Sequence, residues 1–163
     1  MLVKKIISGG QRGVDRAALD IALELKISHG GYCPKGRRAE DGIIPKKYNL
    51  IEHDSREYTD RTIENVLLSD GILILYSGII SNGTALTKEF CIQQRKPLII
   101  INILNESKSD WLNFNNWLKD NSINILNVAG PRESEGAIYI GSKKILFSLR
   151  STNTLGESNL KKT

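Results

Sequence analysis

The sequence predicts an α/β domain: a mostly parallel, five-stranded sheet with helices on both faces. Three observations predict it. Apolar runs of strand length alternate with helical periodicities along the chain. Residues 72–76 are apolar throughout, and 97–103 nearly so, as strands covered on both faces must be. Three polar, Gly-containing loops (9–15, 77–84 and 129–134) each follow a strand. In a parallel sheet such loops converge at the carboxyl edge, where ligands bind.

Residues 3–8 are the first strand. Val14, Ala17, Ala18, Ile21, Ala22 and Leu25 then recur at helical spacing, and Leu19 and Leu23 widen the stripe, so the first helix is expected to be largely buried. Residues 30–33 read as a short second strand and 34–57 as a long basic loop, of the kind that usually carries function. A helix follows over 60–68, with Asp60 as its N-cap. After the strand at 72–76 come a helix over 83–95 and the strand at 97–103. Ser109 or Asp110 caps a helix carrying Trp111, Leu112, Trp117 and Leu118. Residues 123–128 are the fifth strand, and the last helix lies near 136–149. Residues 1–150 are thus one ligand-binding domain and 151–163 a polar tail.

At 163 residues the chain suffices for one substantial core. No window approaches a membrane span, and the opening Met-Leu-Val-Lys-Lys runs straight into a strand, so the cytoplasm is the expected compartment. The net charge of +5 is unevenly placed. From Lys143 onward five basic residues face Glu157 alone, so most of the excess sits on the last helix and tail. That distribution reads as a solvated face and argues against a nucleic-acid partner. Two cysteines, Cys33 and Cys91, make no disulfide framework; Cys33, at a strand end, is expected to be the more accessible. His29 and His53 are the only histidines, and no Cys or His pair has ligand spacing, so no protein-held metal is expected. No nucleophile elbow occurs.

The strongest local signal is Ser8-Gly9-Gly10-Gln11-Arg12-Gly13-Val14-Asp15. Its glycines expose backbone N–H groups at a helix start, and Arg12 adds a forked cation, which together suit a phosphate. A tight strand–helix turn without ligand is the plainer reading. The strict dinucleotide fingerprint and the P-loop are both absent. Ser81, Asn82, Gly83 and Thr84 open another helix and read equally as a second anion site or as ordinary capping. Gly130 and Arg132 flank Pro131 at a helix start, where Arg132 either closes over a ligand or is solvated. The loop from Cys33 to Gly42 offers Lys35, Arg37 and Asp41, as a polyanion contact or as a solvated basic loop. Glu40, Asp41 and Glu89 are candidate acids that no spacing pairs.

Five segments together resemble the "putative molybdenum carrier" family, related to the molybdenum-cofactor carrier proteins. They are residues 8–15, 33–42, Arg61-Thr62 with Asn65-Val66, 82–87 and 127–134, in the family's order and spanning nearly the whole chain. The resemblance implies a single Rossmann-like domain that carries molybdenum cofactor, a homo-oligomer, and molybdoenzymes or cofactor-biosynthesis proteins as partners. That family is similar to the lysine-decarboxylase-like phosphoribohydrolases and the DNA-processing protein A group. The phosphoribohydrolases carry P-G-G-x-G-T-x-x-E, whose glutamate assists cleavage of a nucleotide's glycosidic bond. Here Thr87 stands at the glutamate position, and Glu89, two residues on, points about 200° away along the helix. The expected activity is therefore binding of a phosphorylated pterin or nucleotide-like ligand. An N-glycosidic hydrolase, or a nucleotide sensor or single-strand binding module, is the alternative.

Overall fold

The computed structural model describes residues 2–135 and 137–150. Its central sheet joins β1 (Lys5–Ile7), β2 (Ser28–Gly30), β7 (Gly71–Tyr76), β8 (Leu98–Asn102) and β9 (Ile125–Ala129). The spatial order is β2-β1-β9-β7-β8, and every pairing is parallel. This is the predicted five-stranded sheet. Numbered from the last strand instead of the first, the order becomes 3-2-1-4-5, that of a doubly wound nucleotide-binding fold. The last strand thus occupies the centre. The connections reverse direction between β9 and β7, which makes their carboxyl ends the topological switch point.

Alternating residues of β7 feed two layers. Leu73 and Leu75 join the larger core with α1 (Val14–Glu24), α4 (Lys108–Asp120) and α5 (Ile138–Leu146), while Ile72 and Ile74 pack with Val66 of α2 (Tyr58–Leu68) and Cys91 of α3 (Asn82–Gln93). Each fully buried Leu or Ile contributes about 1.5–3 kcal/mol. The predicted face of α1 is buried from Val14 to Ala22, and Leu25 packs against the same core at its end.

The second strand departs from expectation. Gly31 has a φ of +123°, a conformation natural to glycine, and breaks the run. Residues before it stay in the central sheet. Those after it, β3 (Tyr32–Cys33), pair instead with β6 (Ile51–Glu52). The long loop also holds a small hairpin, β4 (Arg38–Ala39) and β5 (Gly42–Ile43), and closes over a minor core of Leu19, Cys33, Ile44, Tyr48 and Leu50. The helix caps differ as well. α2 starts at Tyr58, which puts Asp60 inside its first turn, and α4 is capped by Ser107, whose hydroxyl and Asp110 form a reciprocal capping box. The tail at 151–163 lies outside the described residues, and among those described no helix is long and apolar enough to cross a membrane.

Asp20 ties this architecture together. Its carboxylate accepts hydrogen bonds from Tyr48 Oη (2.8 Å), Tyr139 Oη (2.6 Å) and Lys47 Nζ (3.1 Å), linking α1 to the long loop and to α5. Burial alone would raise its pKa, but the three donors outweigh burial and hold it below the usual 3.8. A depressed folded pKa stabilises the fold above the unfolded value, and that contribution is lost as pH falls through the folded one. Asp20→Asn should therefore lower the melting temperature at pH 7, and the gap to wild type should close as pH drops below 3.8. Thermal denaturation across that range checks it.

Candidate functional site

A cavity of about 410 Å³ opens at the switch point, between the loops after β1, β7 and β9 and the start of α2. The first and last of those loops are fused. Gly13 bridges Arg132, Glu133 N–H donates to Arg12 O (3.0 Å), and Val14 N–H donates to Pro131 O (3.3 Å). Gly13 has a φ of +114°, and a Cβ there would lie 2.6 Å from Pro131 O, so only glycine permits this seam. Asp15 Oδ2 accepts the Gln11 N–H at 3.1 Å, closing the turn from within. The Gln11 and Val14 donors of this Gly-rich turn are thus engaged with protein acceptors.

The start of α3 is arranged differently. No side chain caps its first-turn N–H groups, because Ser81 Oγ lies 3.2 Å from Thr84 Oγ1 instead. A Cβ on Gly83 would meet nothing within 4 Å, so the approach is open. These N–H groups and the helix dipole favour an anion.

Across the cavity stands Arg61, on the inward face of α2 with Asn65 and one turn into the helix. Its side chain is 13% exposed, its Nη1 lies 3.7 Å from Asp15 Oδ2, and its Nε is buried without a hydrogen-bond partner. Arg132, Arg38 and Arg61 surround the Tyr58 ring, at 4.6, 5.5 and 5.9 Å from its centroid. Burial pushes the Asp15 carboxyl above its ordinary range, with Arg61 and the Gln11 N–H acting against that rise. Gln11, 3% exposed, donates through Nε2 to Arg38 O (2.8 Å), and its Oε1 is buried without a partner.

The structure brings Gln11, Ser81, Asn82, Gly83, Thr84, Gly130 and Arg132 to this cavity. Gly130 is required there by space, since a Cβ would lie 2.3 Å from Leu75 O. Gly9 lies beneath the Arg61 guanidinium, and Gly10 packs against Leu50 and Ile44. The remaining sequence-derived positions lie elsewhere. Arg12 is exposed and lines a second groove with Asp41, Tyr48 and Tyr139. Asp41 forms a bidentate ion pair with Arg16, both contacts at 3.1 Å. Arg37 spends its guanidinium on the carbonyls of Ile44, Pro45, Tyr48 and Leu50, which shapes the long loop. Lys35 is exposed and donates its N–H to Ser55 O. Glu40 binds Ser134 through its N–H (3.2 Å) and hydroxyl (2.6 Å), pinning the β4–β5 hairpin to the loop after β9. Glu89 is exposed and pairs with Gln93, away from the cavity. Asp15, Tyr58 and Arg61 are cavity residues that sequence reasoning did not place there. The available signal was a cation on the inward face of an amphipathic helix, four residues before Asn65.

An all-parallel, doubly wound sheet with an arginine-lined crevice at its switch point defines a Rossmann-like protein of ligand-binding type. The family model described as the circularly permutated YpsA SLOG family matches residues 6–149, and the chain belongs to that family. A crystal structure of a "putative molybdenum carrier protein" from Syntrophus aciditrophicus SB is 43% identical, with a TM-score of 0.85, and the match covers 90% of this chain and 95% of that one. No curated protein matches. Among the described residues no group of three or more His, Cys, Asp or Glu is placed to hold a metal ion.

Both thiols are buried, Cys33 at 0% exposure, which corrects the expectation that it is accessible: the long loop folds over it. Burial raises both thiol pKa values, that of Cys91 to about 11. Neither should react with an aromatic disulfide reagent in the native protein at pH 7.5, and both should react once it is unfolded. Rapid native labelling of Cys33 would contradict this burial.

Proposed function

We propose that the crevice binds a phosphorylated small molecule, with Arg61, Arg132 and the first turn of α3 holding its phosphate. The observation that carries this reading is Arg61. A largely buried guanidinium faces one carboxylate at 3.7 Å and keeps an unpartnered Nε. Taking such a cation out of water costs several kcal/mol, and an anion in the crevice offsets that cost. The volume of about 410 Å³ is within the usual range for small-molecule sites.

The ligand we propose is molybdenum cofactor or its metal-free pterin. The name of the 43%-identical neighbour supports it. So does the chemistry of the lining. Molybdenum cofactor holds its metal through its own dithiolene sulfurs, so it asks the protein for an anion site and for partners to the pterin edge. The exposed Asn82 amide is one acceptor on the lining for that edge. Binding is favoured over glycosidic hydrolysis by the residue at 87. Thr87 lines the crevice and donates its hydroxyl to Gly83 O at 3.2 Å, where the related hydrolases hold glutamate. The carboxylate on the lining, Asp15, is engaged with Gln11 and Arg61.

Arg61→Ala should weaken both pterin and AMP binding by about 1.5–3 kcal/mol, the range for a charge-assisted hydrogen bond, and Arg12→Ala by much less. Calorimetry decides it; unchanged affinity in Arg61→Ala overturns the phosphate assignment. In competition the pterin should displace AMP. Tight AMP binding without pterin binding would move the ligand to the nucleotides. Incubation with nucleoside monophosphates should release no free base, and robust release would restore the hydrolase reading.

A further inference from the structure

The role of Gly9 is set by what occupies the space beside it. A Cβ built on Gly9 would stand 1.7 Å from Arg61 Nη1, 2.5 Å from Arg61 Cζ and 3.1 Å from Asp15 Oδ2. Gly10 and Gly13 are different cases. Both have positive φ, and their crowding comes from packed core side chains or from backbone. Gly9 has no positive φ, so its backbone does not require glycine; the guanidinium does.

We infer that Gly9 is a positioning residue for anion binding: its missing side chain is the socket that seats the Arg61 guanidinium at the end of β1, beside Asp15. This rests on the reading that Arg61 holds the phosphate. It also gives the first glycine of the turn a part in binding without any contact to the ligand. Three features define the seat. Gly9 leaves the volume, Asp15 supplies the opposing charge at 3.7 Å, and the Gln11 N–H fixes Asp15 at 3.1 Å. The atoms that any larger residue would displace form the far end of a flexible side chain, so the main chain can stay in place while Arg61 leaves its seat.

Wild type, Gly9→Ala, Arg61→Ala and the double variant are compared by calorimetric titration with inorganic phosphate and with AMP. Gly9→Ala and Arg61→Ala should each weaken AMP binding by about tenfold or more, and the double variant should bind no more weakly than Arg61→Ala alone. Removing Arg61 also empties the socket, so the double variant is free of the clash even if Gly9→Ala by itself folds poorly. Guanidinium ion at low, non-denaturing concentration should then restore AMP affinity to Arg61→Ala but not to the double variant, in which alanine fills the seat. A purely structural role for Gly9 would not produce that difference. Equal rescue of both variants overturns the socket, as do additive losses in the double variant or full affinity in Gly9→Ala. If Arg61→Ala itself binds AMP as wild type does, the phosphate reading fails first and the socket with it.

Discussion

The seam between the turn after β1 and the loop after β9 is the constraint on which the rest of the site depends. It is made of backbone groups: the Gly13–Arg132 bridge, with Glu133 N–H on Arg12 O and Val14 N–H on Pro131 O. Backbone seams are insensitive to side-chain rotamers, so this one fixes the entry of α1 with little freedom. It also sets where the two nearby arginines go. Arg132 faces the crevice with Tyr58, whereas Arg12 lines the neighbouring groove. Two cations close together in space therefore serve different surfaces.

Around that seam, acidic residues are spent mainly on holding loops. Asp41 locks the β4–β5 hairpin to Arg16, Glu40 locks the same hairpin to Ser134, and Asp20 gathers two tyrosines and a lysine. The Asp41 and Glu40 contacts are partly exposed, so each alone adds little stability, whereas Asp20 gathers three donors on one carboxylate. Together they hold these carboxylates outside the crevice, where, among the described residues, Asp15 is the one carboxylate on the lining, against Arg61 and Arg132. The resulting positive balance is focused by low-dielectric walls, a setting in which a guanidinium interacts with an anion more strongly than it would in water.

Much of the fold was legible because apolar runs and helical spacing are strong, local signals. The continuous run at 72–76 announced a central strand, and the stripe from Val14 to Ala22 announced a helix buried against the sheet. The break at Gly31 was less legible, since a glycine between two short β-like runs does not say which sheet each run will join. At the site, the segments at 81–84 and 130–132 were legible because loops after parallel strands meet at one edge. Arg12 stood out in the sequence through its glycine neighbours, yet side-chain direction at a turn depends on the seam with a loop more than a hundred residues away. Arg61 was missed for the converse reason. Its partners, Gly9 and Asp15, lie in a different segment, and nothing local to α2 signals the empty space it fills. Lys35 and Arg37 looked like ligand contacts because charge is visible in sequence, but the carbonyls that Arg37 satisfies become available only when the loop closes.

The placement of β9 between β1 and β7 has a consequence for the order in which the protein can be made. A chain emerging from the ribosome presents β1 with β2, and later β7 with β8, as two separate parallel pairs. Each pair has an edge that only residues 125–129 can cover. Until that final strand arrives the nascent chain carries two open edges rich in isoleucine and leucine, and it has no continuous sheet. Insertion of the keystone strand after both pairs leaves these two edges open to edge-to-edge association until β9 pairs with them.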